Sequence, residues 1–514
     1  MKQPKIHFIG IGGIGMSALA QWFLSKKWLV SGSDASDSPI IQFLKKQGVE
    51  VKIGHKSGNF SRNSQMAVYS AAVPPDNPEF KKAKELGIKT LSYSEALAEL
   101  TKQYKTIAVS GMHGKSTTTA MLANVLIKAG MDPTVIFGSK YLFDNQKQAN
   151  NFRLGNSQIL VIEADEYRDH FLNYSPFGAI ITNINLEHVD YFKNLQTIKK
   201  SFIKFINGIN KSPSDYKNGP IVLNADDKNI ESIKNKLSEQ KITWFSLNQK
   251  NRVRILKKNL KVIGKHNIAN ALAVWALAEK LGIKQNIILK GLKEFTGIWR
   301  RLEYKGEIKF KNQSFNKFKI DPKQNQAGQK SKIKIKVYDD YAHHPTEIRA
   351  SLNALRENFK KSDIICVFQP HQQKRLEALF KEFSLAFDEA DYLVLLDIFK
   401  VVGRDSSVLS KTNKVSQNQF CNRDSFCCKK LSRFHNAKNV VAESLSEQLA
   451  YVINKRLSKL KNIRLKKIIY LPYSEQGQTP KLLKEIILNN PPQLAIIVMM
   501  GAGDIYKITD KLIE

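Results

Sequence analysis

Short β-branched runs ending in Gly, Asp or Asn, each followed by helix-like periodicity, recur along the 514-residue chain. They begin with "KIHFIGIG", "WLVSGSD" and "MAVYSAAV", and continue with "KTIAVSGMHG", "QILVIEAD", "GAIITNIN" and "GPIVLNADD". "KIKVYDDYA", "DIICVFQP", "DYLVLLDIF", "KIIYLP" and "AIIVMMGAG" complete the series. Apolar strands that alternate with helices demand parallel α/β sheets covered on both faces. In such sheets ligands gather at the carboxyl ends of the strands, where these Gly, Asp and Asn residues fall. The length calls for two to four domains. New strand–loop–helix series begin near residues 100 and 298, giving expected domains of 1–100, 101–297 and 298–514.

Two polar stretches interrupt the pattern and read as surface insertions, residues 309–336 and 403–437. The second carries Cys421, Cys427, Cys428 and His435, whose spacing is not a usual zinc pattern. Four cysteines do not make a disulfide framework, and a reducing cytoplasm is expected. No apolar run reaches the roughly 18–20 residues of a membrane span. The N-terminal lysines and "SALA" imitate a signal peptide, but the intervening glycines are spaced as a phosphate-binding turn. A net charge of +35 would attract any polyanion. No helix-turn-helix, zinc-finger or RNA-recognition spacing accompanies it, so anionic small substrates are expected and specific nucleic-acid binding is not.

The motifs with chemical content are two glycine turns. In "KIHFIGIGGIGMSALA", Gly10, Gly12 and Gly15 have the G-x-G-x-x-G spacing of a dinucleotide-binding turn, and Asp34 follows a second apolar run. A nicotinamide-dependent dehydrogenase would show these features. The second turn, "TIAVSGMHGKSTTTAMLANVL", is a strand, a tight loop and a helix. Gly111 and Gly114 let backbone N–H groups face phosphates, Lys115 can reach the terminal phosphates, and the Ser116 or Thr117 hydroxyl can reach Mg²⁺. Val109 stands where the longer phosphate-loop pattern has glycine, so the match is to G-x-x-G-K-[ST]. Carboxylates end the next two strands: Glu163, Asp165 and Glu166, then Glu187 and Asp190 around His188. Hard oxygen donors beside a phosphate loop suit Mg²⁺.

With these motifs stand "EADEYRDHF", "TNINLEHVDYF", "GKHNIANALAV", "GIWRRLEY", "DDYAHHPTEI", "FQPHQQKR" and "MGAGDI". In this order the blocks resemble the ATP-dependent amide ligases that build the peptidoglycan stem peptide. The resemblance implies three α/β domains: a Rossmann-like N-terminal domain, a central phosphate-loop ATPase domain with a mostly parallel sheet, and a Rossmann-like C-terminal domain. It implies addition of L-alanine to the lactyl carboxylate of UDP-N-acetylmuramate through an acyl phosphate, with ATP and Mg²⁺, or Mn²⁺ in its place. A cytoplasmic monomer or homodimer is expected. Attachment of a preformed tripeptide to the same sugar, or a non-catalytic nucleotide-binding role in wall synthesis, remain alternatives. The first glycine turn then holds a UDP-sugar, since such a turn recognises diphosphate charge and not a nicotinamide.

Site residues follow from the resemblance position by position. Gly10, Gly12, Gly13, Gly15 and Asp34 would bind the UDP-sugar. Gly111, Met112, His113, Gly114, Lys115, Ser116 and Thr117 would bind ATP, with His266, Asn267 and Asn270 at the adenosine. Ser116, Thr117, Glu163 and His188 would hold the metal. Arg300 and Arg301 would reach the phosphates, and Asp340 would contact the nucleotide. Tyr341, His343, Gln372 and Arg375 would form the amino-acid site, His343 orienting or deprotonating the amine. Lys115, Glu163, His188, Arg300 and His343 are the expected catalytic group. Gln372 replaces an arginine common in the family's motif, which removes one cationic contact to the amino-acid carboxylate.

Overall fold

The computed structural model describes residues 3–144, 146–188, 191–209, 219–238, 242–308, 334–399, 444–458, 464–471, 478–488 and 494–513. Asp190, the two polar insertions apart from residues 334–336, and the Cys421/Cys427/Cys428/His435 group lie outside these residues. The chain forms two compact units, Met1–Glu303 and Tyr304–Glu514.

The first unit contains two sheets. β1 (Lys5–Ile9), β2 (Leu29–Asp34), β3 (Glu50–Ile53), β4 (Met66–Tyr69) and β5 (Lys89–Ser92) form a parallel sheet in the order β3-β2-β1-β4-β5. The second sheet holds β6 (Lys105–Ser110), β7 (Thr134–Tyr141), β8 (Asn150–Arg153), β9 (Ile159–Glu163), β10 (Gly178–Ile181), β11 (Ile221–Asn224) and β12 (Ile242–Phe245). Its order is β12-β11-β10-β6-β9-β7-β8, parallel except for the β7–β8 pairing. Both topologies place a strand-order reversal at the strand that feeds a glycine turn: β1 in one sheet, β6 in the other. These crevices are where open α/β sheets bind ligands.

The helix Lys115–Lys128 is buried on nearly every side, from Ser116 through Leu126. Its alanines, threonines and Leu122, Val125 and Leu126 meet the sheet on one side and the helices Lys265–Lys280 and Gln285–Glu294 on the other. Gly291 permits that approach, because a Cβ there would lie 2.7 Å from Val125 Cα. Asn124 seals the crossing by donating to the Gly291 carbonyl at 2.7 Å. The helix is therefore fixed by tertiary packing, as its all-round apolar surface requires.

The helix Ile14–Ser25 packs on its own sheet and also on β7 and β8 of the second. A buried amide cluster joins them. Asn151 donates to the Ile14 carbonyl at 2.5 Å and to Ser17 Oγ at 2.9 Å, and accepts from Gln21 at 3.0 Å. Asn150 donates to Gln21 Oε1 at 2.7 Å. The first turn of this helix, and the glycine loop before it, are thus referenced to the second sheet.

The second unit carries β13 (Glu303–Ile308), β14 (Lys334–Asp340), β15 (Asp363–Phe368), β16 (Tyr392–Leu396), β17 (Lys467–Leu471) and β18 (Leu494–Met500), in the order β13-β14-β18-β15-β16-β17. The pairings from β14 to β17 are parallel. Its core is Val337, Val367, Val394, Ile497 and Met499 under the helix Ile505–Ile513.

Candidate active site

β1 ends at Gly10, whose φ of +81° turns the chain back so that Gly10 and Ile11 both donate to the Ser33 carbonyl, at 2.8 and 3.0 Å. Gly12 N–H donates to Asp34 Oδ2 at 2.8 Å. The helix starts at Ile14 with Gly13 as its cap, which brings no side chain to the first turn. The N–H groups of that turn have no intrahelical acceptor and are oriented for an anion. Asp34, expected at the UDP-sugar, shapes the loop that would hold it.

The second loop leaves β6 at Gly111, with φ of +124°. A Cβ at Gly111 would lie 2.3 Å from Thr182 Oγ1, and one at Gly114 (φ +85°) 2.7 Å from Asn270 Oδ1. The loop is pinned between them by the end of β10. His113 N–H donates to Asn183 Oδ1 at 2.9 Å, while Thr182 Oγ1 and Asn183 Nδ2 donate to the His113 carbonyl at 2.7 and 2.8 Å. Met112 N–H donates to the Asn183 carbonyl at 3.3 Å. Thr182 and Asn183 are structural partners of the loop to which the sequence reading gave no role.

Lys115 opens the following helix and folds back over the loop. Its Nζ donates to the Gly111 carbonyl at 2.7 Å and lies 3.0 Å from Glu166 Oε2. Burial disfavours its charge, but the Glu166, Asp165 and Glu163 carboxylates outweigh burial and raise its pKa. The surrounding carboxylates therefore favour the charged form of Lys115.

The acids divide into two groups. Glu163, at the end of β9, accepts Gly138 N–H at 2.8 Å and the Ser116 hydroxyl. Burial raises its pKa, opposed by those hydrogen bonds and by the Lys115 and Arg301 charges. Glu166 is fully buried between Lys115 and His188, whose Nε2 is 3.4 Å away. Burial pushes the Glu166 carboxyl up, but Lys115 and His188 prevail and hold it below its ordinary value. His188 is likewise raised, its burial outweighed by Glu166. It sits at φ +53° with Tyr167 against its ring at 4.7 Å, a conformation that aims it back at the acids. Asp165, Glu166 and His188 bring ligand atoms within 4.8 Å of one another.

The expected metal set thus spans two neighbourhoods: Glu163 with Ser116, and His188 with Glu166 and Asp165. Thr117 is buried beside Ser116 in the helix. Carboxylate and hydroxyl oxygens suit Mg²⁺, and the imidazole nitrogen also admits Mn²⁺. Glu166 stood in the sequence only as one of several candidate Mg²⁺ donors, without the pairing to Lys115. The pattern "EADE" offered three acids, and only the fold tells which one Lys115 meets.

Asn270 packs on Gly114, and Asn267 ties the start of its helix through the Ile263 carbonyl at 2.7 Å. His266 is half-buried one residue before. Arg300 and Arg301 fall in the first compact unit, just before its end at Glu303. They are hung on β7, where Trp299 N–H donates to the Lys140 carbonyl at 2.9 Å and Ser139 Oγ donates to the Trp299 carbonyl at 3.1 Å. Arg300, buried and at φ +56°, donates its N–H to Glu303 at 2.9 Å.

In the second unit, Asp340 ends β14, buried, and accepts the Ser351 hydroxyl and the Ala342 N–H. His343 Nδ1 donates to the Tyr341 carbonyl at 2.9 Å, with Glu347 3.5 Å away. That leaves Nε2 as the atom able to take a proton. His344 caps the helix Pro345–Asn358. His371, from "FQPH", lies 5.9 Å from His343 ring to ring and stacks on Phe399. Gln372, at φ +66°, caps the short helix Gln373–Ala378 that carries Arg375.

Two strand-fed glycine turns, one with a lysine held among carboxylates, define a nucleotide-dependent α/β enzyme site. The chain belongs to the Mur ligase family. Residues 5–105 match the model for the Mur ligase family catalytic domain, 109–278 the middle domain and 328–449 the Mur ligase glutamate ligase domain. It is 39% identical to the UDP-N-acetylmuramate–L-alanine ligase of a Sulfurihydrogenibium species, over 99% of this chain and 97% of that one. It is also 39% identical to the enzyme of that name from Clostridium kluyveri, over 80% and 87%. Among solved structures, the UDP-N-acetylmuramate–alanine ligase of Thermotoga maritima matches with a TM-score of 0.67 at 25% identity, over 99% and 98% of the two chains. A murein peptide ligase from Psychrobacter arcticus shares the fold, with a TM-score of 0.60 at 21% identity over 99% and 98%. No helix among the described residues is long and apolar enough to cross a membrane.

Proposed function

We propose that the chain is an ATP-dependent ligase joining the amine of L-alanine to the lactyl carboxylate of UDP-N-acetylmuramate. The observation that carries this reading is the pairing, in one compact unit, of a diphosphate turn with a phosphate loop whose lysine is held among carboxylates. A dehydrogenase needs the first and has no use for the second. Likeness to curated L-alanine ligases along 99% of the chain selects the amine.

A carboxylate is a poor electrophile at neutral pH, so it must first be given a leaving group. One lactyl oxygen attacks the γ-phosphorus of ATP, the bond to the β–γ bridging oxygen breaks, and ADP departs. The alanine nitrogen then attacks the acyl carbon, its proton passes to a base, and phosphate leaves with the lactyl oxygen attached. Gly10, Gly12, Gly13 and Gly15 cradle the UDP diphosphate, with Asp34 bracing their loop. The backbone of residues 111–114 cradles the ATP phosphates. Lys115 leaves the Gly111 carbonyl for the transferring phosphoryl group, to which it offers a fixed positive charge. Arg300 and Arg301 add cationic charge, and His266, Asn267 and Asn270 contact the adenosine. Ser116, Thr117, Glu163 and His188 would hold Mg²⁺ or Mn²⁺, which when bound screens the repulsion between the two anions. Tyr341, Gln372 and Arg375 receive the amino acid, Arg375 gripping its carboxylate, and His343 Nε2 takes the amine proton. Asp340 contacts the nucleotide. These substrates place the enzyme in the cytoplasm.

Phosphate release from ATP tests the assignment. It should require UDP-N-acetylmuramate and L-alanine together, and a tripeptide should not replace the amino acid. Release supported by the tripeptide and not by L-alanine would reassign the amine substrate.

A further inference from the structure

Tyr93 stands at the first position of the helix Tyr93–Thr101, directly after the Ser92–Glu95 capping box that fixes where the helix begins. Its ring lies on the first turn of the helix Ile14–Ser25. A Cβ at Gly15 would fall 2.7 Å from the Tyr93 Cζ and 2.8 Å from its hydroxyl oxygen. The last glycine of the first turn is therefore required by this tyrosine, and the phenol is held against the helix end that the diphosphate turn feeds. Glu163, the last residue of β9 in the neighbouring sheet, and Asp165 just after it lie within electrostatic reach of the same phenol. Tyr93 thus lies against the first glycine turn and within reach of the acids at the end of β9. The residue is half-buried, and its hydroxyl makes no hydrogen bond to any protein group among the described residues.

We propose that Tyr93 is a substrate-binding residue whose hydroxyl donates to an anionic oxygen of the UDP-sugar. This rests on the UDP-sugar reading of the first turn. The chemistry suits the position. A lysine beside Glu163 and Asp165 would be captured by them as an ion pair. A phenol stays neutral there, because burial and the two carboxylates both push its ionisation upward. It therefore remains a donor across the working pH range. Only two side-chain torsions must be fixed, and the ring already occupies the space that Gly15 leaves by lacking a Cβ. Two groups of the substrate have the required charge: the diphosphate and the lactyl carboxylate.

The test is Tyr93→Phe in the full-length chain, which keeps the ring on Gly15 and removes only the hydroxyl. Calorimetric titration should show the Kd for UDP-N-acetylmuramate raised about tenfold or more, the scale of a lost hydrogen bond to a charged acceptor. KM for ATP and for L-alanine should stay at the wild-type values, which a general structural defect would not spare. UDP-N-acetylglucosamine, which lacks the lactyl group, separates the two acceptors. Equal weakening of both sugars assigns the hydroxyl to the diphosphate. Weakening confined to the muramate assigns it to the carboxylate, and kcat should then fall as well. Wild-type affinity of Tyr93→Phe for UDP-N-acetylmuramate overturns the proposal alone. A wild-type enzyme that does not bind this sugar overturns the functional reading, and the proposal with it.

Discussion

Replacing Glu166 by Gln probes the pairing with Lys115 and His188 that the sequence did not reveal. Glu166 is fully buried, 3.0 Å from Lys115 Nζ and 3.4 Å from His188 Nε2. Glutamine keeps the shape and one acceptor oxygen but removes the nearest counter-charge of two cationic groups. Breaking a buried pair by removing one partner costs about 3–5 kcal/mol. With one hydrogen bond retained, we expect about 2–3 kcal/mol. For a unit of 303 residues that lowers the melting temperature by about 3–5 °C. The pH dependence has a definite sign. The Glu166 carboxyl is held below its ordinary 4.5, so its contribution is present above that pH and is lost as pH falls through the lower folded value. His188 is raised above its ordinary 6.5, so its contribution is complete below that pH and fades as pH rises through the folded value. The gap between wild type and Glu166→Gln should therefore be widest between pH 4.5 and 6.5 and narrower, but not zero, at pH 9, where the Lys115 pairing persists. Scanning calorimetry of the full chain, with chelator and without nucleotide, measures it. Equal melting temperatures at pH 6, or a gap that grows toward pH 9, would refute the reasoning.

Four other substitutions have definite expectations. Lys115→Ala should lower kcat about 10²–10³-fold, the usual cost of one lost electrostatic contact in the transition state, with UDP-sugar affinity unchanged by calorimetry. Arg375→Ala should raise KM for L-alanine strongly and leave that for ATP nearly unaltered in steady-state assays, whereas Gln372→Arg should lower it or leave it as it is. Asn151→Ala removes the contacts to Ile14, Ser17 and Gln21 and should cost about 1–3 kcal/mol in thermal unfolding, through buried polar groups left unsatisfied.

The strands that the sequence made visible are largely the interior ones. β1, β6, β9, β10, β15, β16 and β18 are apolar on both faces because helices cover both. Of the strands it did not make visible, β3, β5, β8, β12 and β13 are sheet edges: short, polar on one side and lysine-bearing in "EVKI", "KTLS" and "EYKGEI". Those traits protect an edge from pairing with another chain, and they also erase the strand pattern. Both glycine turns were legible because φ and close approach demand glycine at Gly10, Gly111 and Gly114. Long-range pairings were not. Nothing local links Asn151 with Gln21, or Tyr93 with Gly15, and Lys115 could have met any of three nearby acids. The backbone bond from Trp299 to Lys140 that ties the segment before Arg300 and Arg301 to β7 has no sequence signature either.

The central claim is that the lactyl carboxylate is activated as an acyl phosphate, and oxygen tracing tests it most directly. UDP-N-acetylmuramate carrying ¹⁸O in both lactyl carboxylate oxygens is turned over with ATP and L-alanine, and the released phosphate is analysed by mass spectrometry. The account predicts one ¹⁸O in each phosphate released, and one retained in the amide carbonyl of the product. Phosphate free of label, with ATP consumed, would contradict it.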